Sequence, residues 1–298
     1  MRVSSSLFYD RAATAMGRLS SQADTLQAQI ATKKKLAAPS DDSAAYSRLS
    51  GIARDTANAK ADGSNLDLAA SVLAQGDSTL SSIVNQIQAA SENAIHARSG
   101  INDATALGAI ADAIDGIRDQ LMSLGNATDS RGQPLFGGAD GGAAVTRNAD
   151  GTYTYASTSP SAIPTGNGQS VQPNENAARV FKQGGGDLLA TLDTLSAALR
   201  AGGAGVDAAA ATAVTALQAA STQALTVQAS LGARASRVEL DQTALTQSGV
   251  DREAARSAIE DTDITQAITE LQKTMTVLSA TQASFTKLQG LSLFDYLR

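Results

Sequence analysis

Large apolar residues recur along both ends of this chain at alternating steps of four and three. From Ile264 the pattern runs through Ile268, Leu271, Met275, Leu278 and Phe285, broken only by Gln282, and continues through Leu288, Leu291, Leu293 and Phe294. Such spacing keeps one narrow seam of a helix facing a partner, as in a coiled coil, rather than a broad stripe facing a globular core. At the other end Ala12, Met16, Leu19, Ala23, Leu26 and Ile30 repeat the alternation, behind an apolar cluster at Leu7, Phe8 and Tyr9. Two half-seams at opposite ends can zip together, so the pattern predicts a helical pair joining the termini, with everything between Lys33 and Asp263 inserted into it. A terminus so dense in large apolar residues also requires a partner.

Between the ends, Pro39 forces Ala38 out of the helical region, Ser40 is a natural N-cap, and Asp41 and Asp42 place negative charge at a helix start expected near Asp41. Leu66, Ala70, Leu73, Asp77, Leu80, Val84 and Ile87 then carry the seam spacing along a helix reaching Arg98, which Gly51, Gly63 and Gly76 weaken without stopping. Ser99-Gly100-Ile101-Asn102-Asp103 is a turn, and Ile110, Ile114, Ile117, Leu121 and Leu124 mark a shorter helix ended by Gly125. From Asn126 to about Asn176 the sequence becomes rich in Gly, Asp, Asn, Ser, Thr and Pro. There Ala144–Arg147 and Thr152–Tyr155 flank a hairpin turn with Gly151 at the positive-φ position, and a second weak strand is expected around Ser170 to Gln172. Helical spacing resumes at Leu188, Leu189, Leu192, Leu195 and Leu199, stops at Gly202, and returns from Val206 towards Gly249 through Val214, Leu217, Leu225, Leu231, Val238 and Leu245.

The predicted fold is mainly α: a long coiled-coil helical hairpin with paired N- and C-terminal helices, a helical bundle rod and a small β-containing insert. The expected divisions are an N-terminal coiled-coil assembly segment over 1–40, a bundle rod over 41–132 and 177–255, the insert over 133–176 and a C-terminal assembly segment over 256–298.

Composition sharpens this. The apolar fraction is 43%, but Ala dominates it, aromatics are 3% and there is no Trp, which suits thin helical layers rather than one thick core. With 23 basic against 29 acidic residues and a net charge of −6, no nucleic-acid partner is expected, and Lys33-Lys34-Lys35, the one basic run, reads as a solvated connector. The lack of Cys excludes disulfides, thiol catalysis and thiolate metal sites. Asp10 and Arg11 interrupt any apolar run after Met1-Arg2-Val3, so no cleaved secretory signal is expected. Nor is a membrane partner, because the Ala-rich stretch from Val206 to Ala220 is broken by Asp207, Thr212, Thr215 and Gln218.

Catalytic constellations are wanting. His96 is the one histidine and sits at a helical position, and Gly137–Gly142 lacks the Lys-Ser/Thr of a phosphate loop and reads as a flexible connector. Asp241, Asp251, Glu253, Glu260, Asp261 and Asp263 alternate with Arg234, Arg237, Arg252 and Arg256, the dress of an exposed helix face. No enzyme activity, cofactor or metal is expected. A separate reading makes Tyr153 and Tyr155 exposed aromatics of an insert that recognises a surface.

Several runs resemble a known family. Arg2-Val3-Ser4-Ser5-Ser6-Leu7, Lys35-Leu36-Ala37-Ala38-Pro39-Ser40-Asp41-Asp42-Ser43-Ala44-Ala45 and Leu231-Gly232-Ala233-Arg234 look like the bacterial flagellin superfamily. Leu135-Phe136-Gly137-Gly138 and the closing Leu291-Ser292-Leu293-Phe294-Asp295-Tyr296-Leu297 look like its hook-associated branch, although Pro134 stands where that branch usually has an aromatic. The resemblance implies a structural protein that leaves the cell unfolded through the flagellar export channel, without a cleaved signal, and acts in the extracellular flagellum. It implies termini disordered in the monomer that form coiled coils on assembly into a ring of like subunits between hook and filament. The implied partners are itself, another hook-associated junction protein, flagellin and an export chaperone, and the neighbouring possibility is a self-polymerising filament flagellin. The expected assembly seam sets Leu7, Leu19, Leu26 and Ile30 against Ile264, Ile268, Leu271, Leu278, Phe285 and Leu291.

Overall fold

The computed structural model describes residues 2–99, 103–139 and 141–290, without the side chains of 2–6, 8, 9 and 288–290. Expectations resting on Gly100–Asn102, on Asp140, on the side chains of Phe8, Tyr9 and Leu288, and on Leu291–Leu297 lie outside the described residues. In sequence order the elements are α1 (Arg2–Thr32), α2 (Ser43–Ala97), α3 (Ala104–Gly125), β1 (Val145–Arg147), β2 (Tyr153–Tyr155), β3 (Ile163–Gly166), β4 (Gln169–Val171), α4 (Ala177–Phe181), β5 (Lys182–Gln183), β6 (Gly186–Asp187), α5 (Leu188–Ala201), α6 (Gly205–Glu260) and α7 (Ile264–Gly290). The fold is mainly α with a small strand-containing insert, as expected. Residues 1–57 and 248–298 form one compact unit and residues 58–247 another.

The 58–247 unit holds the hydrophobic core. Its α2 face buries Leu66, Ala69, Leu73, Gly76, Leu80, Ile83, Ile87, Ala90, Ala94 and Ala97, a strict three-four series. The expected series had Ala70, Asp77 and Val84 at the corresponding turns, and of these Val84 is buried beside Ile83 as expected. Ala70 is half-buried and Asp77 exposed, because the inward slots between the leucines are filled by Ala69, Gly76 and Ile83. On α6 the same rhythm buries Val206, Ala210, Ala213, Leu217, Ala220, Ala224, Val227, Leu231 and Val238. Leu225, expected on that seam, is exposed.

The two helices run antiparallel, since partners on α6 fall in number as those on α2 rise. Gln242 donates to Asp67 (2.9 Å), Gln228 to Asp77 (3.0 Å) and Arg98 to Asp207 (2.9 Å). A Cβ on Gly76 would lie 3.2 Å from Leu231 Cδ1, so the glycine makes room for that leucine. Helices α3 and α5 pack alongside each other and are cross-linked by ion pairs of Arg118 with Asp193 and of Arg200 with Asp112 and Asp115.

The insert is more tightly built than its composition suggests. β1 pairs with β2 (Val145↔Tyr155) around a turn in which Gly151 has φ +84, as expected, and β4 has a partner in β3. Tyr153 and Tyr155 are buried, which corrects their assignment as exposed aromatics. Tyr153 donates to Asp193 at 2.7 Å and Tyr155 to Asp187 at 2.8 Å, and Tyr155 stacks on Phe181 with centroids 5.8 Å apart. Leu135 and Phe136 are buried, Leu135 N–H bonding to the Ala127 carbonyl and Ala177 N–H to that of Phe136. The glycine run thus begins as a docked segment, not a free connector. A Cβ on Gly137 would come within 2.6 Å of the Pro134 ring, so glycine is required there.

Candidate assembly interface

In the unit formed by 1–57 and 248–298, two helix breaks meet. Gly249 does not stop α6, which continues to Glu260, beyond the expected end; one internal glycine costs only about 1 kcal/mol. The backbone then passes through Asp261–Asp263 into α7. Lys33 leaves α1 with φ +60, its carbonyl accepts from Thr262 N–H (3.1 Å), and Lys35 N–H donates to the Glu260 carbonyl (2.6 Å). Lys34 and Asp261 form a β-bridge, and the Lys34 ammonium pairs with the largely buried Glu260, which also accepts from Arg256 (2.8 Å). The Lys33–Lys35 run, exposed between α1 and α2 as expected of a solvated connector, is also half of a clasp between the two breaks, and Glu260 is part of that clasp rather than of an exposed face.

The start of α2 is fixed differently from the expectation. Asp42, not Ser40, caps it, accepting from the N–H groups of Ala44 and Ala45 at 3.0 and 2.9 Å. The Asp41 carboxylate folds back onto the N–H groups of Ala37 and Ala38, both at 2.9 Å. Those donors, Ala38 first, hold its pKa below the usual carboxylate value.

Because the end of α1 meets the start of α7, the two helices pack antiparallel. On α1 the series Ala12, Met16, Leu19, Ala23, Leu26 and Ile30 is buried or half-buried, as its spacing predicts. On α7 the inward residues are Ala267, Leu271, Thr274, Leu278, Thr281 and Phe285. Of the expected seam, the structure thus places Leu19, Leu26, Ile30, Leu271, Leu278 and Phe285 within the intrachain pair. Leu7, Ile264 and Ile268 stand 51%, 37% and 41% exposed, and Leu291 lies outside the described residues.

The terminal pattern therefore splices two stripes. One, with Ala and Thr in alternate slots, faces α1; the other, Ile264, Ile268 and Met275, faces outward and shares Leu271 and Leu278 with it at the boundary. Reading only large apolar residues missed Ala267, Thr274 and Thr281, whose three-four spacing was the available signal. Tyr46, Val250 and Val277 are further exposed apolar residues of this unit. Among the described residues no group of His, Asp or Glu is arranged to hold a metal, and no helix is long and apolar enough to cross a membrane.

Known proteins resemble this chain along its length. Residues 3–140 match the bacterial flagellin N-terminal helical region and residues 214–297 the bacterial flagellin C-terminal helical region. Flagellar hook-associated protein 3 of Salmonella typhimurium is 28% identical over 336 aligned positions spanning 100% of both proteins, and that of Escherichia coli is 28% identical over 99% of both. Among solved structures, a flagellar hook-associated protein from Vibrio parahaemolyticus superposes with a TM-score of 0.70 at 19% identity, over 74% of this chain and 100% of that one. The flagellar junction protein FlgL of Legionella pneumophila gives 0.60 at 15% identity, over 72% and 100%. With flagellin helical regions at both ends and a hook-associated protein aligned along its whole length, this chain belongs to the bacterial flagellin superfamily.

Proposed function

We propose that this protein is a structural subunit of the bacterial flagellum that joins the hook to the flagellin filament and assembles through its terminal helices. The observation that carries the reading is the outward stripe of Ile264, Ile268 and Met275 on α7, left exposed after α7 has paired with α1. An apolar row at helical spacing gains stability only against another helix, and a ring of like subunits supplies one. On this reading the neighbours are further copies of the same subunit, a second hook-associated protein on one side and flagellin on the other, with an export chaperone holding the protein before secretion. Export through the flagellar channel, without a cleaved signal, delivers it outside the cell. The role is architectural and asks no catalytic group of the protein.

The test uses purified full-length protein with filament seeds, followed by light scattering and electron microscopy. Rings or short caps on hook ends, with no self-extension, are expected; long filaments of this protein alone would make it a filament flagellin instead. A paired Ile268→Asp, Met275→Asp variant separates the stripe from the fold. Both residues are exposed, so stability should shift by no more than about 0.5 kcal/mol in thermal melting while incorporation into flagella is lost. Normal incorporation would remove the stripe from the interface.

A further inference from the structure

β3 and β4 are joined by two residues, Asn167 and Gly168, the one Asn-Gly pair in the sequence. Their φ values, +52 and +73, are both positive, as a type I′ hairpin turn requires, and both residues are exposed. Other asparagine side chains of the insert are tied down. Asn126 bonds both backbone groups of Val145, Asn148 donates to Thr152 and Thr154, Asn174 donates to the Pro134 carbonyl, and Asn176 caps α4. The Asn167 side chain makes no hydrogen bond among the described residues.

We propose that Asn167 is a site of spontaneous deamidation through a succinimide, yielding isoaspartate and aspartate. The backbone nitrogen of Gly168 attacks Asn167 Cγ. A new C–N bond forms and closes a five-membered imide, the Cγ–Nδ2 bond breaks, and the amide leaves as ammonia with the Gly168 N–H proton. Water then adds to either imide carbonyl. Opening at Cγ gives aspartate, and opening at the Asn167 backbone carbonyl routes the backbone through the former side chain as isoaspartate. Water is the sole co-reactant. Glycine in the second position puts no Cβ in the way of the attack, and the tip of the ribbon, exposed at both loop residues, can open locally to reach the ring-closing geometry.

The product would not fit the hairpin as the amide does. A Cβ on Gly166 would lie 2.5 Å from Asp62 Oδ2, so the Asp62 carboxylate already presses on the residue beside Asn167, and a new carboxylate would be introduced next to it. An isoaspartate adds a methylene to a two-residue loop that sets the Gly166↔Gln169 pairing, and through it the Gln169–Arg237 hydrogen bond of 2.6 Å. Asp150-Gly151, at the other hairpin, is the internal contrast. Asp150 Oδ1 accepts from the Thr152 N–H at 2.9 Å and from the Thr152 hydroxyl at 2.6 Å, so that carboxyl is tied down where the Asn167 amide is not.

The experiment incubates the full-length folded protein at mildly alkaline pH, then maps peptides by mass spectrometry and labels isoaspartate with an isoaspartyl methyltransferase. The expected result is isoaspartate at position 167 as the main modified species, with little at position 150, and a folded-state charge one unit more negative than −6. Asn167→Gln should suppress it, and Asn167→Asp, which supplies the aspartate product directly, should start with the charge shift but without the isoaspartate. Asn167 left intact in the folded protein while a free peptide spanning 163–171 converts would overturn the proposal, as would conversion mainly at another asparagine.

Discussion

Arg234 stands at a seam position of α6, between the buried Leu231 and Val238, where the four-three rhythm asks for an apolar residue. Its guanidinium turns into the insert, donating to the carbonyls of Gln172 (2.9 Å) and Asn174 (3.1 Å) and to the largely buried Glu175 (2.8 Å). The alternation of Arg with acidic residues predicted an exposed face, and the heptad slot was the better guide. Arg234→Ala removes the donor to two carbonyls and leaves Glu175 with Arg179 as its ion-pair partner, so it should cost about 2–3 kcal/mol in urea unfolding. Arg234→Lys should recover little, because one ammonium cannot span three acceptors held by a planar fork.

The insert tyrosines make a pH prediction at the same scale. Burial first, then the hydrogen bond to a carboxylate, pushes Tyr153 and Tyr155 well above the ordinary tyrosine value of 10.0. The folded state therefore keeps protons that the unfolded state releases, so this contribution is fully present below pH 10.0 and is lost as pH rises through the folded values. In an alkaline ultraviolet titration these two phenols should ionise only together with loss of structure.

At the scale of elements, the helices were legible where spacing was carried by large residues and blurred where it was carried by small ones. The α1 face and the extent of α2 and α3 follow directly from sequence. Half of the inward faces of α2, α6 and α7 did not, because Ala69, Gly76, Ala213, Ala267 and Thr274 hold slots that a search for Leu and Ile skips. The insert core escaped for another reason: Tyr153, Tyr155 and Phe136 are buried by residues distant in sequence, Asp193, Asp187 and Phe181 among them. Two substitutions on α7 test the two-stripe geometry. Leu278→Asp, on the half-buried face, should open the α1–α7 pair and lower its helical signal, whereas Ile268→Asp, on the exposed face, should leave circular dichroism unchanged. Equal losses would merge the stripes into one.

At the scale of the molecule, the burial is unequally shared. The contiguous core lies between Leu66 and Val238, while in the other unit Ala23 and Ala267 are the buried apolar residues among those described. Ile83→Ala should therefore cost about 2–5 kcal/mol, and heating should release residues 1–57 and 248–298 before 58–247. Limited proteolysis followed by mass spectrometry checks this: a protected fragment close to 58–247 is expected, and early cuts inside α3 or α5 would contradict it.

The clasp between Lys33–Lys35 and Glu260–Thr262 has a mechanical meaning. Each terminal helix is hinged to its neighbour in sequence by a short break, and a single hinge would let one helix swing alone. Pinned to each other by backbone hydrogen bonds and the Lys34–Glu260 ion pair, the two hinges share one pivot. A load on either α1 or α7 is then delivered to α2 and α6 together, as through a double-shear pin, and does not rest on one strand of backbone.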